Sequence, residues 1–178
     1  MRKIVWIVLV SIIIVGCNSE EKNSSSLKFK IEQQEKHLNQ LNAEMRPHQK
    51  IPIEERDDLV ALLENFYQDF PNNEYAPVCL EKLHMIFSSD EDYLKSTEYG
   101  STLLDKYPNY KNRPLILESM AVNYDIFIQP RDTSKVRFYY EKLLKEDKNL
   151  SNDKKEGIKF KLDHLNLSIE ELILKVND

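Results

Sequence analysis

Glycine, tryptophan and cysteine are all scarce in this 178-residue chain, which holds three, one and two of them. Gly16 lies in an N-terminal apolar run, leaving only Gly100 and Gly157, so a glycine-rich phosphate cradle is excluded. So few glycines, set among many Leu, Lys and Glu residues, favour helix over sheet. Basic clusters are also missing. The chain carries 25 Lys+Arg against 30 Asp+Glu, and nucleic-acid binding wants a concentrated basic face, so no nucleic-acid partner is expected. The signatures of covalent catalysis are absent as well: no nucleophile elbow, serine-lysine motif or cysteine-histidine signature occurs. His37, His48, His84 and His164 form no i, i+4 pair and no metal-ligand motif. His84 lies beside an apolar face and reads as a structural histidine. Carboxylates are too numerous for any pair to stand out as an acid/base couple. Asp90-Glu91-Asp92 lacks the ligand periodicity of a calcium loop and suits a helix start. Phe138-Tyr139-Tyr140 reads as helix packing. The expectation is a non-enzymatic protein with no cofactor and no metal.

What is present begins with an address. Arg2 and Lys3 precede Ile4 to Val15, apolar except for Ser11, and then Gly16-Cys17. That run is shorter than the ~20 residues a bilayer-spanning helix needs, and it matches the hydrophobic segment of a secretory signal peptide. Ile14-Val15-Gly16-Cys17 resembles a bacterial lipobox. The resemblance implies cleavage after residue 16, acylation of Cys17 and attachment to a membrane of the bacterial cell envelope. Acyl chains then supply the anchoring, of which stable attachment needs two or more. With Cys17 acylated, Cys79 stands alone and no intramolecular disulfide forms. Cys79, between Val78 and Leu80, reads as a buried thiol. Residues 17–26, polar and serine-rich after the cysteine, read as a flexible tether. Ser19-Glu20-Glu21 within it resembles export signals of Bacteroidetes surface lipoproteins.

Beyond the tether the pattern is helical. Leu27, Ile31, Gln34, Leu38, Leu41 and Met45 follow steps of four and three, a seam under three heptads long that Pro47 ends. Residues 27–46 are expected to pack on the next helix, with self-association into a homo-oligomer as the alternative. A second helix is predicted from Pro52 to Asp69, with Leu59, Leu62, Leu63, Phe66 and Tyr67 on its apolar face. Then "FPNNEYAP" at 70–77 finds a near twin, "YPNYKNRP", at 107–114. Pro71 and Pro108 cannot continue a helix. Pro77 and Pro114 suit the first turn of the next one, where missing amide donors matter least. Leu80, Leu83 and Phe87 match Leu117, Met120 and Tyr124 in the same register, which makes this an internal repeat.

Residues 76–109, 34 in number, resemble a tetratricopeptide repeat. Leu80, Leu83 and Phe87 take its first-helix core positions, Asp92-Tyr93 opens its second helix and Pro108 closes it. Residues 113–149 look like a second copy with about three extra residues near Ile128-Gln129-Pro130, and with Lys148 at the closing proline. Its second helix would carry Val136, Tyr139, Tyr140, Leu143 and Leu144. His84 stands where the family has a small residue, and Ser96 or Val136 where its second helix has alanine, so looser helix crossings are expected. The long "YPN…AP" connector is similar to those of the outer-membrane assembly lipoprotein BamD and the TolA-binding periplasmic protein families. Residues 150–178 are read as capping helices, from Asn152 to about Leu165 and then from a capping box at Ser168 and Glu171 to Val176.

The fold class expected is therefore all-α: a tetratricopeptide-like superhelix over 52–149, an N-terminal seam helix and C-terminal caps. The resemblance implies a concave groove lined by Val78, Glu81, Met85, Leu115, Glu118, Val122 and Asp125. Glu81 and Glu118 would form an acidic ridge flanked by apolar patches, suited to a protein segment mixing basic and apolar residues. The implied work is that of an envelope adaptor on the outer membrane, facing the periplasm or the surface, in its assembly or maintenance. One alternative is an oligomeric coiled-coil and repeat protein of a Tol-Pal-like constriction system. Another is an accessory subunit of a polysaccharide or transport complex.

Overall fold

The computed structural model describes the backbone of residues 2–46, 51–168 and 171, with side chains from residue 20 onward in those ranges. Among the described residues the chain is all-helical, with no strand. The helices are α1 (Arg2–Glu44), α2 (Ile53–Asp69), α3 (Ala76–Ser89), α4 (Tyr93–Lys106), α5 (Arg113–Val122), α6 (Thr133–Glu146) and α7 (Asn152–Asp163); a five-residue π turn, Asn123–Phe127, extends α5. Two compact units divide the chain, residues 1–79 and 80–178. The side chain of Cys17, together with Pro47, His48 and the rest of the helix expected to run to Val176, lies outside the described residues, but the capping box expected to open that helix is formed: the Ser168 amide donates to the Glu171 carboxylate at 2.7 Å and the Glu171 amide to Ser168 Oγ at 3.2 Å. Among those described, no helix is long and apolar enough to cross a membrane.

The first unit is a helical hairpin. Ile31 and Leu38, one heptad apart on α1, are buried and face α2, whose Leu59, Val60, Leu63 and Phe66 are buried in turn. The polar member of the seam, Gln34, has a specific role: its Nε2 donates to the Glu55 carbonyl at 2.8 Å. His37, beside it on α1, meets the Glu55 carboxylate at 3.1 Å. The seam therefore packs on α2, as its apolar spacing predicts. The stretch read as a flexible tether is helical, continuous with the rest of α1. No proline occurs before Pro47, and a helix already nucleated propagates at little cost through residues that do not break it. Ser24 is buried there, its hydroxyl donating to the Glu21 carbonyl at 3.0 Å.

The repeated punctuation has a repeated geometry. After α2, the Asn73 amide donates to the Phe70 carbonyl and the Ala76 amide to the Asn73 carbonyl, both at 3.0 Å. After α4, Tyr110 donates to Tyr107 and Arg113 to Tyr110, both at 3.1 Å. Pro71 and Pro108 each follow a helix C-cap, and Pro77 and Pro114 each sit in the opening turn of the next helix. A weaker third instance follows α6, where Leu150 donates to Asp147 at 3.5 Å. No proline stiffens that turn. Asp92 and Asp132 cap α4 and α6 in the same way, accepting from the amides three residues on at 3.1 and 3.0 Å.

The second unit buries Leu80, Leu83, Leu103, Leu117, Met120, Val136, Tyr139, Tyr140 and Leu143. The predicted partners of the internal repeat are thus core residues in both copies, with Phe87 half-buried and stacked on Tyr99 at 5.5 Å. Between α3 and α4 the chain turns in a Schellman-type arrangement, the Asp92 amide donating to the Phe87 carbonyl at 2.9 Å. Glu91 occupies its left-handed position with φ 64°, where a Cβ is unfavourable and glycine is the ordinary choice. Glu91→Gly is expected to raise the unfolding free energy by about 0.5–1 kcal/mol. Urea denaturation of the two proteins reads this directly, and an unchanged or lower midpoint would refute the strain.

Candidate functional site

The residues expected to line a groove occupy diverse settings. Val78 is half-buried on the first turn of α3, within the first unit. Met85 and Leu115 are open, 52% and 51% exposed, and Val122 is half-buried. The acidic members are engaged within the protein. Glu81 accepts a short hydrogen bond from the Tyr110 hydroxyl and two from Asn112 Nδ2, at 2.9 and 3.0 Å. It fastens the 107–114 connector to α3. Glu118 pairs with Lys154 Nζ at 2.6 Å. Asp125 is buried. An open acidic ridge is therefore not what Glu81 and Glu118 form.

The π turn explains the placement of Asp125. Its closing bond runs from the Ile128 amide to the Asn123 carbonyl at 2.8 Å, which inserts one residue more than an α-turn and rotates the facing of its side chains. Asp125 points inward, where Arg131 Nε donates to Oδ1 at 2.9 Å and Lys161 Nζ to Oδ2 at 2.6 Å. Arg131 also donates through Nη1 to the carbonyls of Leu165 and Leu167, at 3.2 and 2.6 Å. One carboxylate thus joins the π turn, the loop after it, α7 and the segment beyond α7. Burial alone would lower the Lys161 pKa, but the hydrogen bond to Asp125 and the nearby Tyr140 outweigh it, so the net shift is upward. Burial likewise raises the Tyr140 phenol.

A second polar cluster lies in the packing of α3, α4 and α5. His84 is fully buried. Its Nδ1 lies 2.8 Å from the Ser96 carbonyl, which can only accept, so Nδ1 carries the proton. Nε2 of the neutral ring then accepts from the Ser119 hydroxyl at 2.8 Å. Ser96 Oγ donates to the His84 carbonyl at 2.9 Å, and Asn123 Nδ2 donates to Ser96 Oγ at 3.4 Å. Room for the imidazole comes from Gly100, where a Cβ would stand 2.5 Å from Met120 Sδ and 3.0 Å from His84 Nδ1. The looser crossings expected from His84 and Ser96 are replaced by a tight contact in which glycine offsets the larger ring. The serine–histidine pair has the polarity of an activated nucleophile, and its groups are bonded to one another and to the backbone within the packing of α3, α4 and α5.

Shallow clefts border the described residues of this unit. One, of about 460 Å³, is lined mainly by the polar face of α4, including Glu98, Ser101 and Asp105, and by Tyr124. Burial and the neighbouring Tyr124 push the adjoining Tyr139 phenol up to about 12. Another, of about 620 Å³, is bounded by Arg131, Arg137 and the segment after α7. Among the described residues no group of His, Cys, Asp and Glu side chains could hold a metal ion. Cys79 is buried and forms no disulfide.

No protein-family model, curated protein or solved structure matches this chain. Two features of the site escaped sequence reasoning. Arg113, in the connector, is buried and pairs with Glu146 while donating to the Leu104 carbonyl. The "RP" pair at 113–114 reads only as helix punctuation, and an ion pair across 33 residues leaves no local signal. The engagement of Glu81 by Tyr110 and Asn112 was equally hidden.

Proposed function

We propose that this protein is a lipid-anchored adaptor of the bacterial cell envelope, with degenerate tetratricopeptide-like hairpins that hold protein segments. The observation that carries the reading is the recurrence of one connector geometry after α2 and α4, with a weaker, partial form after α6 and matching aspartate caps on α4 and α6. Helices of similar length fit it: α3, α4 and α6 have 14 residues each. The lipobox-like Ile14-Val15-Gly16-Cys17 supports the anchor and the address. Confinement to a membrane raises effective concentration, so modest affinity suffices for an adaptor. Since Glu81 and Glu118 are occupied, the groove's contact with a partner rests on its exposed apolar members, Met85 and Leu115.

Affinity capture from detergent-solubilised envelopes, with tagged full chain beside a Met85→Lys/Leu115→Lys variant, tests this. Both positions are about half exposed, so the variant is expected to fold. A stoichiometric protein partner lost in the variant is the expected result. A partner that ignores both substitutions would remove the groove from the reading, and release of the wild-type chain from the membrane fraction would remove the anchor.

A further inference from the structure

The contacts between α1 and α2 fix which end of their hairpin lies nearer Cys17. Gln34 and His37 of α1 meet Glu55, at the start of α2. Toward the N-terminus of α1, Lys28 holds its Nζ 4.9 Å from the centre of the Tyr75 ring, in the connector after α2. Ser24, one turn earlier, is already buried. The connector at 70–77 is therefore the end of the hairpin closer to Cys17. Lys28 stands eleven residues beyond Cys17 and Ser24 seven. The helix is unbroken between them, so these two levels lie about 16 Å and about 10 Å along its axis. A helix nucleated by the packed seam extends to residue 18 at little cost. With residues 1–16 removed, Glu20 and Glu21 would stand in its first turn, where the helix dipole favours acidic side chains. This stretch also lacks a face that would lie in a bilayer. Glu20, Glu21, Lys22, Asn23, Ser25 and Ser26 are all exposed. Among the described residues of α1, Phe29 alone is a large apolar side chain left open, at 59%, whereas interfacial helices bury a continuous apolar face.

We propose that residues 18–23 are a rigid helical spacer of under two turns that sets the connector 70–77 against the phospholipid headgroups; this rests on the lipid anchor at Cys17 proposed above. The headgroup layer is about 5–8 Å deep on each side of the hydrocarbon. A connector about 10–16 Å along the helix from the acylated residue faces the outer edge of that layer. The exposed residues at its tip, Pro71, Asn72 and Glu74, are the ones that meet the headgroups. The first unit then stands at a set height and orientation on the membrane, where a flexible tether would leave it free to turn.

The test uses the full acylated chain in phosphatidylcholine nanodiscs that carry a small fraction of nickel-chelating headgroup lipid. A nitroxide is attached through Asn72→Cys or, toward the other end of α1, through Gln40→Cys. Both positions are exposed and Cys79 is buried, so each label reports one site. Residue 40 lies about 35 Å along α1 from Cys17, and paramagnetic relaxation falls steeply with distance, so relaxation by nickel at 72 should exceed that at 40 by at least about fivefold. Glu21→Gly/Lys22→Pro breaks the helix at two exposed positions ahead of the packed seam and should bring the ratio below about twofold. Equal relaxation at 72 and 40 in discs that carry the otherwise native chain would overturn the proposal and leave the anchor standing. A ratio that Glu21→Gly/Lys22→Pro leaves unchanged would overturn it too. The comparison of 72 with 40 decides the question even if that variant fails to fold. Failure of the chain to co-purify with the discs would instead overturn the anchor, and the spacer with it.

Discussion

Asp125→Ala is expected to cost the protein about 3 kcal/mol of stability, the scale for breaking a buried ion pair by removing one partner. The carboxylate is only 2% exposed, and Arg131 and Lys161 around it are 16% and 29% exposed. Removing the anion leaves two cations facing each other in a partly desolvated site. Asp125→Asn keeps the shape and one acceptor, so it should cost less than the alanine variant yet remain clearly destabilising. Glu118→Ala provides the contrast. Its pair with Lys154 is a third to nearly half exposed, and such surface pairs contribute about 0–1 kcal/mol. Chemical denaturation of the three variants should give a wide gap between Asp125→Ala and Glu118→Ala. Similar midpoints for those two would refute the view that Asp125 is a structural keystone.

The second large effect lies at His84. Truncation to alanine opens a void beside Gly100 and strips Ser96 and Ser119 of their partner, for an expected loss of about 3 kcal/mol. A pH dependence accompanies it. Burial lowers the imidazole pKa below its ordinary 6.5, with the hydrogen bond to the Ser96 carbonyl and the Glu81 charge acting in the opposite direction. A folded-state pKa below the unfolded one means that the unfolded chain takes up the proton first. The contribution of neutral His84 is therefore complete above about pH 6.5 and declines as the pH falls below it. His84→Gln keeps hydrogen-bonding capacity without titrating in this range, so wild type should lose more stability than this variant between about pH 7.5 and about pH 5. Parallel losses would show that His84 does not drive the acid-side decline.

The sequence made legible whatever depends on neighbours along the chain. Pro71, Pro77, Pro108 and Pro114 act within a residue or two of themselves, so the connectors and the bounds of α3 and α5 could be placed from them. Asp92 announced the start of α4 in the same local way, and the 3.6-residue periodicity marked Leu80, Leu83, Leu103 and Met120 as core. Side-chain partners far apart in sequence were invisible. Glu81 recurring at the position of Glu118 looked like a shared surface feature. One is tied to Tyr110 and Asn112, and the other to Lys154, by contacts spanning 29 to 36 residues. The π turn had no signature either, and the tetratricopeptide register carried through residues 123–127 placed Asp125 in the groove. His84 and Gly100 lie sixteen residues apart; each stands out by itself, but their compensation requires knowing that α3 and α4 touch there. The tether shows a different limit. Serine-rich composition suggests a coil, yet nothing in residues 18–26 forbids the helix that flanks them.

One consequence of the Asp125 site concerns how the molecule comes apart. A helix packed on one side only is ordinarily quick to fray. Here α7 supplies Lys161, and the segment after it supplies the carbonyls of Leu165 and Leu167 that hold Arg131. Peeling α7 away would strip the buried carboxylate of one cation and loosen its hold on the other. The π turn, the loop that follows it and α7 are therefore expected to open together, so that residues 123–131 and 152–167 come apart as one cooperative block.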